Sequence, residues 1–455
     1  MMTNMQIYLD HGATTPPRPE VIAFLVAAYQ SHWGNPSSLH TWGERAAMVI
    51  ERARMQVADL LNADPEGVIF TSGGTEADNL AIMGIARQYA TPQHIITTTV
   101  EHAAVREPIA QLEKNGWQIT RLPVDQFGLV KPTDLQQAMQ ANTVLVSIIL
   151  ANNEVGTIQP IADLAAICRH AGVLFHTDAV QAVGHIPVDV TAWGIDLLSL
   201  AGHKFYGPQG VGALYVHPQI LDRLQPQTLG GSQEQGLRSG TQPVALIGGL
   251  GLAAELAALE LEPEMLRLRS LRDRLWLQLQ CLPNIQLTGA AIALNPHGYH
   301  SSPQRLPHHL SFCCTHRIGR HLVRDLNLAG IAASSGSACS SGSVTPSGVL
   351  LAMGYGENAA LGSLRLTLGR DTQIADVDWV AMVLRQILSD GQPCRKTQGS
   401  NPMAKSDLVP SLMPHLMPDL MPELGASFAG NYFAGDLSTG DLSNLNTPAC
   451  CFAAV

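Results

Sequence analysis

An α/β fold on a mostly parallel sheet is predicted by two features of the sequence. Short apolar runs, too brief for helices and bounded by turn residues, alternate with stretches of helical spacing. The runs are also apolar throughout, as strands are when both faces of a sheet are covered.

The elements follow in order from about residue 20 to 260. "GVIFTS" is short and β-rich, and "EADNLAIMGIARQY" behind it has helical spacing. "HIITTTV", "TVLVSIIL" and "GVLFHTD" are further strand-like runs, each followed by a polar helical pattern. In "LLSLAGHKFYGPQGVGALYV", two apolar runs flank a Gly- and Pro-rich turn, the pattern of an antiparallel hairpin. A long helix rich in Leu, Glu and Arg is expected after Glu262 as a connector between domains. "HHLSFCC" and "LAGIAAS" then read as strands of a smaller α+β unit that ends near "VDWVAMVLRQILSDG". Beyond Gly391 the composition changes. Prolines at 410, 414, 418 and 422 forbid a helix, so residues 392–455 are expected to form a disordered tail.

The chain has 455 residues, 46% hydrophobic and 14% charged, enough for two domains with a large core. A formal net charge of −10 disfavours nucleic acid or an anionic membrane as partner. The 8 cysteines show no repeated spacing, which fits a reducing compartment. The start lacks a signal-peptide pattern, and the apolar stretch "VALIGGLGLAA" meets Glu255 before reaching bilayer length. A cytoplasmic protein is expected.

Lysine is scarce: Lys114, Lys131, Lys204, Lys396 and Lys405 are all the chain has. Among them, Lys204 alone sits in a Gly-flanked, aromatic-lined context, "AGHKFYGPQG". Partial desolvation there would favour the neutral amine that a Schiff base needs. A lysine that merely covers the hairpin would look the same from this stretch. In "VLFHTDAVQAVG", an apolar strand ends in Asp178, with Gln181 just beyond. A carboxylate there is costly unless it meets a cation, and a pyridinium nitrogen is one such cation. A helix N-cap is the plainer role for Asp178. "TSGGTEADN" runs from a strand through Gly73 and Gly74 into a helix at Thr75, a turn whose N–H groups favour an anion. His102 follows a strand in "TTVEHAAV", where an imidazole can stack on a ring or serve only structure. Cys339 is the only large polarizable side chain in "SSGSACSSGS", residues 334–343, a run too small and polar to bury a thiol.

Nine motifs in order, "YLDHGATTP", "GNPSS", "TSGGTEADNLAI", "VEHAAV", "NNEVGTIQPI", "HTDAVQAVG", "GHKFYGPQGVGALY", "GLRSGTQP" and "SSGSACSSG", resemble the cysteine desulfurases of the NifS/IscS type. These are class V members of the fold type I pyridoxal phosphate enzymes. The resemblance covers about residues 6–390. It implies a large domain with a mostly parallel seven-stranded sheet, residues 16–262, and a small domain from residues 1–15 and 263–391. It also implies a homodimer. By the same resemblance, Lys204 carries pyridoxal phosphate, Asp178 pairs with its ring nitrogen, and His102 stacks on the ring. Gln181 and Asn153 face its phenolic oxygen. Gly74, Thr75 and His203 hold the phosphate, with Thr241 of the partner subunit joining them. Asn35 and Arg365 take the substrate carboxylate, a task suited to a forked guanidinium. Lys204, Cys339 and His102 are the catalytic set. Cys339 takes sulfur from L-cysteine as a persulfide and passes it to an acceptor protein, such as an iron–sulfur scaffold; a small, Gly-punctuated loop suits a thiol with two stations.

The sequence departs from that pattern in three places. Ala201 stands two residues before His203, where the family usually has a hydroxyl. "THRIGRHLVRDL" brings Arg317, Arg320 and Arg324 where an acidic stretch is common, which points to a more acidic acceptor. The proline-rich tail replaces the segment with which family members often touch their scaffold. His308, His309, Cys313, Cys314 and His316 are mixed potential ligands without metal-site spacing, and a core strand is expected there instead. Two other functions share these features: a selenocysteine lyase on the same fold, and a non-catalytic regulatory homologue.

Lysine scarcity generates a test. Lys204→Ala should abolish the borohydride-reducible, visibly absorbing form of bound cofactor. A variant that keeps it would assign the Schiff base to another amine.

Overall fold

The computed structural model describes residues 6–292, 304–336 and 345–389. Its centre is a seven-stranded sheet of Val68–Thr71 (β1), His94–Thr98 (β2), Gln118–Leu122 (β3), Thr143–Ser147 (β4), Leu174–Asp178 (β5), Leu197–Ala201 (β6) and Gly212–Val216 (β7). The spatial order is β1-β7-β6-β5-β4-β2-β3. β7 runs antiparallel to β1 and β6, forming the expected hairpin with β6, and the other neighbours are parallel.

The sheet is buried on both faces because its strands are apolar at successive positions. Ile69, Ile95, Leu145 and Leu174 enter one cluster, while Phe70, Ile96, Val146 and Phe175 enter another. That is the period of two along a pleated strand. β3, at one edge, departs with polar and half-exposed residues, whereas β1 at the other edge is buried throughout.

Helices Pro19–Ser31 (α1) and Thr41–Leu61 (α2) precede the sheet, and Gly74–Ala86 (α3) and Ala103–Lys114 (α4) follow β1 and β2. The long helix expected after Glu262 begins earlier. It is continuous over Val244–Leu279 (α5), with Pro263 inside it. Its glycines do not break it, because they are where other helices approach. A Cβ on Gly248 would lie 2.5 Å from the Phe24 ring, and one on Gly251 would lie 2.5 Å from the Ala53 Cα. Close packing against α1 and α2 therefore offsets the roughly 1 kcal/mol that a helical glycine costs. The expectation that this apolar stretch stops short of a membrane span needs correcting: by length and composition α5 is long and apolar enough to cross one, although half of its most apolar window is buried inside the protein.

The second half of α5 serves another core. Leu268, Leu271, Leu275 and Leu279 recur at helical spacing and pack with a three-stranded antiparallel sheet, Ile285–Leu287 (β8), His309–Cys314 (β9) and Ser363–Thr367 (β10). Helices Gly319–Leu328 (α6) and Ile374–Ser389 (α7) complete that core through Leu322, Leu326, Val377, Val380 and Leu384. Ile7–Tyr8 pairs in parallel with Ile331–Ala332, so the N-terminal segment joins this part of the chain. In β9, Cys313 and Cys314 are buried in different clusters, as neighbours on opposite faces of a strand must be. Burial pushes both thiols up to about 12, far from reactivity at neutral pH. The expected tail, residues 392–455, lies outside the described residues.

The glycine contacts on α5 predict a packing defect. Gly251→Val should destabilise the protein by about 1–3 kcal/mol, the usual cost of overfilling a close contact. Thermal unfolding is the measurement, and an unchanged midpoint would mean that α2 and α5 are not held this close.

Candidate active site

The strands that run in one direction end on the same side of the sheet, and their carboxyl ends carry the candidate residues. Thr71 at the end of β1 leads into Gly73, Gly74 and Thr75. Gly73 takes φ 155° and ψ −179°, a conformation essentially restricted to glycine. A Cβ on Gly74 would sit 2.6 Å from Val180 Cγ2. β2 leads to His102, β5 ends in Asp178, and β6 leads to His203 and Lys204. Open α/β sheets bind ligands outside these strand ends.

One cavity of about 240 Å³ gathers these residues. It is lined by Gly74, Thr75, His102, Asn153, Asp178, Gln181, His203 and Lys204, with Asp78, Ile149, Val180 and Ala201. Eight sequence-derived candidates thus meet in one place. The Ala201 methyl lies in the wall itself.

Asp178 is 4% exposed. Among the described residues its hydrogen bond comes from the Val180 N–H, at 3.0 Å, so the plain turn-capping role is also present. Burial raises its pKa, while nearby His102 and Lys204 oppose that rise. His102 caps α4, its Nδ1 accepting from the Ala104 N–H at 3.2 Å. Burial lowers its pKa, against the pull of Asp178, so the imidazole favours the neutral form. His203 is pushed down to about 4 by burial and by Lys204. Lys204 Nζ donates to the Gly12 and Ala13 carbonyls at 2.7 and 2.8 Å. Gln181 Nε2 donates to the Gly12 carbonyl at 3.0 Å, so the N-terminal "HGATT" segment closes over the hairpin turn.

Arg365 is joined to this cavity without lining it. Nη1 donates to the Asn153 carbonyl and Nη2 to Asp10 Oδ1, each at 2.8 Å, while the buried Nε has no partner among the described residues. Its backbone pairs with Ser334, and Gly336 N–H donates to Ser363 Oγ, so the chain leaves the described residues beside Arg365. Cys339 itself falls among residues 337–344, outside them. Two candidates are not brought to the cavity of their own chain. Asn35 lies on an exposed turn, where Oδ1 accepts from the Ser37 N–H, and Thr241 is exposed.

The class-V aminotransferase family model matches residues 7–380. The chain belongs to the class-V aminotransferase family. Within it, the chain is 44% identical over 384 residues to the cysteine desulfurase IscS of Dictyoglomus turgidum, across 84% of this chain and 94% of that one. A solved NifS-like protein superposes with a TM-score of 0.78 at 34% identity, covering 85% of this chain and 100% of its own. SspA in complex with cysteine superposes at 0.68 and 32%, covering 80% and 99%. A class-V fold of this kind agrees with the sheet order and with the α5 helix running into a second core.

Sequence reasoning missed two acidic residues here. Asp78 is 1% exposed on α3, between Ala77 and Ala81 on its buried stripe. An acid at an apolar helical position was the available signal. Glu101, beside His102, accepts from Thr98 Oγ1 at 2.6 Å and from the Ile149 N–H at 3.1 Å through the same oxygen, Oε1.

Glu101 predicts a pH effect. Burial pushes its carboxyl from 4.5 up to about 8. The folded protein therefore holds a proton that the unfolded chain releases between those values. Its stability contribution is complete below about pH 4.5 and is lost as pH rises toward 8. Glu101→Gln should lose less stability than wild type over that range, whatever the amide costs at low pH. Their melting temperatures should diverge with pH by roughly 2–4 °C per kcal/mol of linkage. Parallel pH profiles would show that Glu101 is already ionised in the fold.

Proposed function

We propose that this protein is a pyridoxal phosphate-dependent cysteine desulfurase that moves the sulfur of L-cysteine to Cys339, releases L-alanine, and supplies sulfur for iron–sulfur cluster assembly. The observation that carries the reading is the single cavity holding Lys204, Asp178 and the Gly74 turn at the strand ends. The relative bound to cysteine supports the substrate, and the relatives named IscS support the pathway.

The residues fit the cofactor on two counts. A buried carboxyl bonded by one backbone N–H needs a cation, which a protonated ring nitrogen would supply to Asp178. The Gly73–Gly74–Thr75 turn at the start of α3 leaves backbone N–H groups and the helix dipole for a phosphate. His203 and the partner subunit's Thr241 would join them. Ala201 offers no hydroxyl, so this site would lack one hydrogen bond, worth about 1 kcal/mol. His102 would lie against the ring face, and Gln181 and Asn153 would bond its oxygen side. When bound, pyridoxal phosphate supplies an electron sink for the carbanion left by loss of the substrate α-proton.

Lys204 would be the amine that holds the cofactor; its bonds to the Gly12 and Ala13 carbonyls place Nζ at the cavity. Arg365 would receive the substrate carboxylate, drawing on the N–H groups not committed to Asp10 and Asn153. Asn35 would have to reach that carboxylate from outside the cavity of its own chain. Cys339 thiolate then attacks the substrate sulfur. A sulfur–sulfur bond forms and the carbon–sulfur bond breaks with its electron pair going to carbon; one proton at that β-carbon and the return of one to the α-carbon complete alanine. The thiols of Cys313 and Cys314 cannot substitute, being buried and raised to about 12.

A homodimer belongs to the same proposal. Ile22, Val26, Tyr29 and Trp33 form an exposed apolar stripe on and just beyond α1, with Trp42 and Met48 exposed on α2. Such a surface needs a cover. Arg320 and Arg324 on α6 line a groove that includes Ser335, suited to an acidic acceptor protein. We also propose the division into 16–262 and 1–15 with 263–391, α5 being the shared helix, and a cytoplasmic location.

Cys339→Ser tests the carrier. It should retain the cofactor and still perturb its spectrum on adding cysteine. Alanine and sulfide release should fall by orders of magnitude, because serine is a poor nucleophile toward sulfur and cannot hold a persulfide. Unchanged turnover, or a wild-type persulfide mapped to Cys313 or Cys314 by mass spectrometry, would contradict the assignment.

A further inference from the structure

The cavity wall holds a second buried carboxyl, Asp78, whose role the proposed reaction leaves unstated. Asp78, Asp178 and His102 offer polar atoms that all lie within 4.8 Å of one another. Asp78 Oδ1 has no hydrogen bond among the described residues. The nearest base to it is His176 Nε2, at 3.6 Å. That imidazole is fully buried, with Nδ1 on Ser147 Oγ at 2.8 Å and Nε2 on Ser199 Oγ at 3.0 Å. Burial pushes it down to about 3, so it brings no positive charge to Asp78.

Two carboxylates buried this close repel, and one proton settles between them. The surroundings decide where. Asp178 has a backbone N–H donor, faces Lys204 and His102, and under the proposed function also faces a ring N–H. Asp78 has the neutral His176, the Ser199 hydroxyl, the acids Asp178 and Glu101, and His102, which it shares with Asp178, as its polar or titratable neighbours. The Ser199 hydroxyl favours the Asp78 anion, but burial, Asp178 and Glu101 outweigh it, and the other differences favour charge on Asp178 and the proton on Asp78. The α3 backbone around Asp78 is helical and already bonded, so it supplies no further donor to a carboxylate.

We propose that Asp78 is a positioning residue: a carboxylic acid kept neutral under the cofactor, donating its proton to the polar groups beside it so that Asp178 is the anion facing the ring nitrogen. This inference rests on the cofactor assignment of the cavity. It acts through Asp178 and makes no contact with substrate.

Infrared spectroscopy of the purified, cofactor-loaded protein tests the protonation state. The wild-type minus Asp78→Asn difference should contain the carbonyl stretch of a protonated carboxyl, shifted in heavy water; bands from Glu101 and other buried acids cancel. Absence of that band would overturn the proposal. Equilibrium dialysis against pyridoxal phosphate tests the consequence. Asp78→Leu, which cannot donate, should bind the cofactor roughly tenfold more weakly, the size of one hydrogen bond to a charged group, and Asp78→Asn should recover most of that loss. Equal affinities for the Leu and Asn variants, or a Leu variant as tight as wild type, would also overturn it. Should Asp78→Leu fail to fold, the infrared difference still decides. A wild type that takes up no pyridoxal phosphate would refute the cofactor assignment instead, with the infrared band still reporting on Asp78.

Discussion

A carboxylate at the end of a buried strand is the constraint around which the cavity is organised. Asp178 terminates β5, which is flanked on both sides by parallel strands and covered on both faces. An isolated ion there would cost several kcal/mol. The protein surrounds it with a neutral imidazole, a lysine and a neighbouring acid, and bonds it by one backbone N–H. Under the proposed function, a protonated ring nitrogen would add the positive charge that this carboxylate lacks from the backbone.

The same sheet geometry assembles the rest. Every residue in the cavity ends or follows a strand that points the same way, so residues as distant in sequence as Gly74 and Lys204 arrive together. The N-terminal segment closes the assembly. Its Gly12 and Ala13 carbonyls hold Lys204, its Thr15 bonds the backbone of His203 and Tyr206, and its Asp10 holds Arg365. One short segment thus touches the lysine, the backbone around His203 and the arginine. Because that segment also forms a strand pair with Ile331–Ala332, its position is tied to the second core.

Much of this was legible in the sequence, for physical reasons. Buried parallel strands carry apolar residues on both faces, so the runs at β1, β2, β4 and β5 stood out, and the Gly-Pro turn marked the β6–β7 hairpin. β3 was missed because an edge strand, "QITRL", needs no continuous apolar run. The start of α5 was missed because glycine usually argues against a helix, and its packing value appears only when Phe24 and Ala53 are brought alongside. Eight candidate site residues converged because each lies within a few residues of a strand end. The Arg365–Asp10 pair, spanning 355 positions, leaves no local trace. Asp78 did leave one, an acid on an apolar helical stripe, which a motif reading absorbs without asking why it is acidic.

The measurement that bears most directly on the Asp178 account is nitrogen-15 NMR of the protein loaded with ring-labelled pyridoxal phosphate. The account predicts a protonated ring nitrogen in wild type across neutral pH, and an unprotonated one in Asp178→Ala. An unprotonated nitrogen in wild type, or a protonated one in the variant, would contradict it.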